Sequence, residues 1–277
     1  MYMTALSNDD IARLYKTRAQ VSDEHGFGAG QFVQTNNNKA MITEKYVASC
    51  KDVTEEINAD YEILDGIQFT KEQYINTGVV FSNATTPIYI TADVTPTASS
   101  GNNCLAGCGD TNWNGPVMMN FCGGKLEYGT SGYSTVATAD GAFTVGTRMT
   151  TSARIGATVQ DWYNNNAHIS GIVNRTRATT TAPLCFGTFK TADSTVGASN
   201  SFHGWVHSFS LVYNTTKKHY IPVRKKSNGT LGFYEVHGNS FLTNSGTGTF
   251  IAGNTINAGK ALIFENGIIS GKTIIEV

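Results

Sequence analysis

The sequence is short of charge. Of its 277 residues only 15% are Asp, Glu, Lys or Arg, well below the usual quarter. The 20 basic and 21 acidic side chains leave a net charge of -1. That excludes a protein whose affinity comes from neutralising phosphates, so no nucleic-acid partner is expected. Long apolar runs are also missing. No stretch approaches the roughly 20 residues that span a bilayer, and no membrane insertion is expected. The opening residues, Met1 to Asp10, have neither a basic nor an apolar region and do not read as a signal peptide. Cysteine is scarce and odd in number: Cys50, Cys104, Cys108, Cys122 and Cys185. These read as reduced thiols with no disulfide required for folding. Cys104, Cys108 and Cys122 could supply three zinc ligands, but no fourth stands nearby. Neither a metal nor a cofactor is expected.

Polarity comes instead from 36 Thr, 24 Asn and 29 Gly. Thr suits a pleated surface, while Asn and Gly suit tight turns, so the chain reads as mainly β. Charge is unevenly spread. Residues 1–75 hold 19 of the 41 charged side chains and residues 76–277 the other 22, which marks the first quarter as a different kind of structure. Residues 6–20 carry the one good helix signal. Ser7 can cap, Asp10 favours the first turn, and Leu6 is placed as a staple. Ile11, Leu14, Tyr15 and Arg18 then share a stripe. So short a helix must dock on its own domain, a sister chain or a larger assembly, which makes Ile11, Leu14 and Tyr15 the candidate oligomerisation or attachment residues.

Two segments echo each other at an offset of 221, Lys39-Ala-Met-Ile-Thr-Glu44 and Lys260-Ala-Leu-Ile-Phe-Glu265. Ser49/Ser270, Lys51/Lys272 and Glu55/Glu276 stay in register. Each copy reads as a pair of short strands with a turn, at Asn266-Gly267 in the second. Between the copies run many short alternating strands, clearest at Pro87–Val94, Ser201–Tyr213 and Lys218–Val223. In the longest, alternation puts Trp205, His207, Phe209 and Leu211 on one face and Val206, Ser208, Ser210 and Val212 on the other. His203 and His207 then share a face as half-buried strand histidines. One apolar and one mixed face predict a two-sheet sandwich.

Four stretches resemble known families. Glu72-Gln-Tyr-Ile-Asn-Thr-Gly78 resembles the opening strand of a concanavalin A-like (laminin-G-like) domain found in tailed-phage and gut-bacterial proteins. Tyr220-Ile-Pro-Val-Arg-Lys-Lys-Ser-Asn-Gly-Thr-Leu-Gly-Phe-Tyr-Glu235 resembles its closing hairpin, and Asn239-Ser-Phe-Leu-Thr-Asn-Ser-Gly-Thr-Gly-Thr-Phe250 its tail. Leu6-Ser-Asn-Asp-Asp-Ile-Ala-Arg-Leu-Tyr-Lys-Thr-Arg-Ala19 is similar to the helical start of fibre-type virion proteins of tailed phages. The resemblance implies a concanavalin A-like jelly-roll β-sandwich over residues 61–253. Residues 1–60 then form a helix-bearing attachment or oligomerisation region, and residues 254–277 a short β tail. It further implies a virion structural protein, made in the bacterial host cytoplasm. Its partners would be two further copies in a homotrimer and other capsid or tail proteins, with a host-surface polysaccharide as ligand. At this length a head fibre or small tail appendage fits better than a long tail fibre.

The candidate glycan site comes from the residues themselves. Trp113 stands between Asn112 and Asn114, and Trp162-Tyr163 precedes three asparagines. A ring face stacks on a sugar while amides and carboxylates satisfy its hydroxyls. The competing reading makes Trp113 and Trp162 core residues. No enzyme is expected, because a glycan-cleaving site needs two carboxylates near one bond and no acid beyond residue 75 shares a strand face with another at close spacing. A depolymerase built from distant carboxylates and a purely structural virion decoration stay open as alternatives. The acidic run Glu55, Glu56, Asp60, Glu62 and Asp65 reads as a solvated connector, with calcium binding between chains as the sharper alternative.

Overall fold

Strand-forming runs in this chain are short, and they become antiparallel ladders in a computed structural model. The structure describes residues 31–36, 38–43, 57, 59–70, 72–99, 103–109, 115–129, 135–137, 142–157, 160–165, 167–172, 177–191, 201–256, 260–262 and 274–276. The expected helix over 6–20, with Ile11, Leu14 and Tyr15, lies outside them, as does the Asn266-Gly267 turn. β1 (Gln31–Asn36) and β2 (Asn38–Thr43) form a hairpin with Gln31 opposite Thr43. The first echoed segment therefore pairs with the strand before it, and the partner expected after it lies outside the described residues. Asn36 and Asn38, opposite each other at the reversal, are residues that tight turns favour.

Residues 60–256 form a unit of their own. It starts with β3 (Tyr61–Ile63), β4 (Ile67–Phe69), β5 (Ile75–Val80), β6 (Ile88–Pro96), β7 (Asn103–Gly109), β8 (Val117–Cys122) and β9 (Lys125–Gly129). β10 (Thr135–Ala137), β11 (Met149–Ile155), β12 (Gln160–Asn164), β13 (Ala167–Ile172), β14 (Pro183–Phe186) and β15 (Phe189–Thr191) follow. β16 (Gly204–Tyr213), β17 (Thr216–Lys225), β18 (Leu231–Glu235), β19 (Ser240–Thr243) and β20 (Ile251–Ala252) complete it. Beyond it, β21 (Lys260–Leu262) pairs with β22 (Ile274–Glu276), Lys260 opposite Glu276.

The larger sheet runs β13-β12-β11-β6-β16-β17-β18-β19, with β4 alongside the start of β16, β20 on β4, and β3 on the end of β17. The smaller runs β10-β9-β8-β7-β14-β5, with β15 parallel to β7. Crossovers rather than a simple meander order both sheets, and together they make the jelly-roll β-sandwich expected from the sequence. β6 shows why the sheets face each other. Ile88, Ile90, Ala92 and Val94 are buried in the core, while Tyr89, Thr91, Asp93 and Thr95 alternate on the other side. Aromatic rings join the layers. Phe186 of the smaller sheet stacks on Phe209 of the larger at 4.5 Å, and Phe69 meets Phe186, Phe202, Phe233 and Phe250 at 4.8–6.4 Å.

The opening-strand and tail stretches of the resemblance, 72–78 and 239–250, lock onto each other. Buried Gln73 accepts from Thr70 N at 2.9 Å and donates to Thr249 O at 3.0 Å. Asn244 Oδ1 accepts from Tyr74 N, and Ser245 N donates to Tyr74 O at 2.9 Å. Gly246 makes this approach possible, since a Cβ there would lie 1.8 Å from Glu72 O. Pro222 obeys the same logic in a central strand. β17 pairs with β16 up to Tyr220 and with β3 from Val223. Pro222 falls in the gap, where its carbonyl accepts from Leu64 N and a missing N–H breaks no ladder.

The alternation read along Trp205–Leu211 fails at one point. A β-bulge between Val206 and Ser208 inserts His207, so Val206 joins Phe209 and Leu211 in the core, while Trp205 is half-buried outside it. His203 precedes the strand and does not share its face with His207.

Candidate functional site

The glycan residues expected from the sequence separate into three cases. Trp113, Asn112 and Asn114 lie outside the described residues. Trp162 is 1% exposed within the core, so its ring offers no face to a ligand. Tyr163, the next residue along β12, points the other way and is half-exposed. A strand alternates sides at every residue, and that alone decides between the two.

Tyr163 belongs to the outer face of the larger sheet, where ladder register lines up side chains from separate strands. One row runs His168, Tyr163, Ser152, Thr91, Ser210 and His219 across β13, β12, β11, β6, β16 and β17. Beside it run Asp161, Arg154, Tyr89, Val212 and Lys217 from β12 to β17. Adjacent strands are about 4.8 Å apart and alternate residues about 6.7 Å. Tyr89 and Tyr163 therefore sit roughly 12 Å apart on one surface. Tyr89 is among the few large hydrophobic side chains that are exposed, at 37%.

Polar groups surround the two rings. His168 edges onto Tyr163 at 5.3 Å between ring centres, with its Nε2 3.4 Å from Asp161 Oδ1. The Arg154 guanidinium lies 5.9 Å over the Tyr89 ring. Arg148 donates from Nε and Nη2 to the two Asp93 oxygens at 2.8 and 2.6 Å, a bidentate pair at the far end of the face. Thr91, Ser152 and Thr150 fill the space between with half-buried hydroxyls.

The face closes off toward β16 and β17. Ser210 and His219 are buried there, bonded through Oγ and Nδ1 at 2.6 Å. Burial drives the His219 pKa down to about 3, with His237 adding to the shift, so its imidazole is neutral. His207 is held in the bulge by two bonds. Its Nδ1 donates to the Asp65 carbonyl, which leaves Nε2 to accept from Thr95 Oγ1 at 2.9 Å. Burial also lowers its pKa, the Asp65 contact opposing. Gly66 stands over this ring, since a Cβ there would lie 2.8 Å from His207 Nδ1.

Three features bear on chemistry. Asp93 and Asp161 share the outer face but stand two strands and four residues apart, about 16 Å by sheet geometry. Glycosidase carboxylate pairs stand roughly 5–9.5 Å apart. Glu235 is spent structurally: it is 1% exposed and accepts from Lys218 Nζ, His237 N and Gly238 N at 2.8–3.0 Å. Cys104, Cys108 and Cys185 are buried free thiols. Desolvation pushes Cys104 and Cys185 up to about 12 and Cys108 well above its ordinary value. Among the described residues no group of three His, Cys, Asp or Glu side chains is arranged to hold a metal ion.

Sequence patterning alone does not single out Tyr89, Arg154 or His168. The alternation of Pro87–Val94 contained the signal for Tyr89, an aromatic on the polar side of a strand. Arg154 and His168 gain meaning only from the register that sets them beside Tyr89 and Tyr163.

No protein-family model matches this chain, and no curated protein matches it. Solved structures resemble it at low identity. A candidate carbohydrate-binding protein of Bacteroides ovatus aligns at 12% identity over 70% of this chain and 61% of that one, with a TM-score of 0.49. A heptameric pentraxin of Limulus polyphemus aligns at 11% identity over 71% of this chain and 95% of its own, TM-score 0.48. Domains LG4-5 of the mouse laminin alpha1 chain align at 14% identity over 70% and 47%, TM-score 0.46. This chain spans less than two thirds of the Bacteroides and laminin chains.

Proposed function

We propose that the sandwich is a non-catalytic carbohydrate-binding module whose ligand lies on the outer face of the larger sheet. In this reading the whole chain is a fibre-like virion component of a tailed phage, a head fibre or small tail appendage, that attaches to a host-surface glycan. The carrying observation is the pair Tyr89 and Tyr163, set apart on a surface that also carries hydroxyls, carboxylates, a guanidinium and an imidazole. Rings receive the apolar faces of sugars and the polar groups their hydroxyls. The roughly 16 Å between Asp93 and Asp161 favours binding over cleavage. The virion role rests on the sequence resemblance of residues 6–19 and 72–78, and the homotrimer on the same ground.

A glycan array probed with the full-length protein tests the binding reading. Binding that Tyr163→Ala and Tyr89→Ala each weaken supports it, and an array with no hits overturns it. Release of reducing ends from a bound polysaccharide would instead make the protein a depolymerase. Light scattering on the full chain tests the trimer, which a monomer at micromolar concentration would rule out.

A further inference from the structure

The carbohydrate reading leaves the class of sugar open, and one row of the outer face narrows it. Asp161, Arg154, Tyr89, Val212 and Lys217 follow each other in register across five strands. Three cations of the sandwich are ion-paired: Arg148 with Asp93, Lys218 with Glu235, Arg224 with Glu62. Arg154 and Lys217 are both exposed, and among the described residues neither has a carboxylate within ion-pair distance. They stand three strand spacings apart, about 14 Å, with an exposed ring and an aliphatic side chain between them. Arg154 lies over Tyr89, and a guanidinium stacked on a ring keeps its planar donor fork for a carboxylate. The Asp161 carboxylate at the end of the row is engaged by His168 at 3.4 Å.

Resting on the carbohydrate-binding reading, we propose that the ligand is an acidic polysaccharide, with sugar carboxylates at Arg154 and Lys217 and apolar sugar faces on Tyr89 and Val212. A neutral glycan would accept hydrogen bonds from both cations but leave their charge unmatched. The polymer lies across the strands, because the two cations flank the apolar contacts along the row and not along any single strand.

The test compares one polymer in two charge states. Full-length protein is titrated with polygalacturonate, with the same polymer after carboxyl reduction, and with a neutral glucan. The acidic form is expected to bind about tenfold tighter than its reduced form, the equivalent of one charge-assisted bidentate contact, and to weaken as salt rises. Arg154→Gln with Lys217→Gln should remove that preference while the melting curve stays in place, since both side chains are exposed. Arg154→Lys, which keeps the charge without the fork, should retain only part of it. Equal binding of acidic and reduced polymer, with Tyr163→Ala weakening both, overturns acidic selection and leaves the carbohydrate reading standing. Absence of binding to all three polymers and to a glycan array overturns both.

Discussion

Trp162 and Tyr163 are consecutive, both aromatic, and on the same short strand, yet they live in different media. Trp162 is packed between the sheets, where its surface is worth most to stability. Tyr163 is half in water beside His168 and Asp161, where its surface is available to something else. The contrast extends from β13 to β6. There the inner face is apolar and filled by rings from both layers, while the outer face is a grid of hydroxyls and charges holding two separated tyrosines. Stability and, in the reading proposed above, recognition thus fall on opposite sides of the same backbone, one residue apart. The outer side can change without disturbing the inner one, except where it is itself covered.

The strongest attack on this contrast is Trp162→Ala. The expected loss is about 3–5 kcal/mol, the range for a buried aromatic cut to Ala, read as a shift in urea midpoint at constant slope. A loss under about 1 kcal/mol would put the ring at the surface after all.

The covered part of the outer face gives the next effect. His219 has a folded pKa near 3 against an ordinary 6.5. Because the folded value is depressed, the unfolded chain takes the proton first. Stability held above about pH 6.5 should therefore fall as pH drops toward 3, by up to about 1.4 kcal/mol per unit. His219→Asn keeps a polar group toward Ser210 and removes the titration. Its stability curve should be flatter over that window, and an unchanged slope would assign acid sensitivity to other groups.

A smaller loss should follow Gln73→Ala, which breaks the clasp between residues 70–74 and 244–249 and strands the Thr249 carbonyl. About 1–3 kcal/mol is expected, measurable by thermal melting. The gentlest change is Tyr163→Ala. Stability should move by less than about 1 kcal/mol while glycan binding weakens, the reverse of the Trp162 result. If both variants lose stability alike, the two faces are not divided as described.

Much of the sandwich was legible in the sequence, for a physical reason. Period-two alternation marked β6, β16 and β17, and the turn-rich composition excluded a helical body. Two of the stretches that carried the resemblance, 72–78 and 239–250, clasp each other, so local pattern and long-range contact coincide there. Trp205 to Leu211 defeated the same reading, because a single bulged residue, His207, reverses every assignment before it. The candidate site was less legible. The cue treats neighbouring aromatics alike, so it named both Tyr163, which the structure leaves half-exposed, and Trp162, which it buries as the competing core reading had it. Tyr89, Arg154 and His168 are brought together by pairing of β6 with β11 and of β12 with β13, and register of that kind is not written in any one segment.

The entry and exit of the sandwich have a consequence for how it can be used. Leu64 bridges Thr255, Asp65 N donates to Asn254 O at 2.9 Å, and Ile256 N donates to Ile63 O at 2.8 Å. The chain thus arrives and departs through adjacent, antiparallel segments, like the two legs of a staple. A module with its ends side by side can be spliced into a surface loop of an unrelated host without stretching either, and lifted out again with its fold intact. Exchange of whole recognition modules between otherwise unlike scaffolds then requires only two cuts a few ångströms apart.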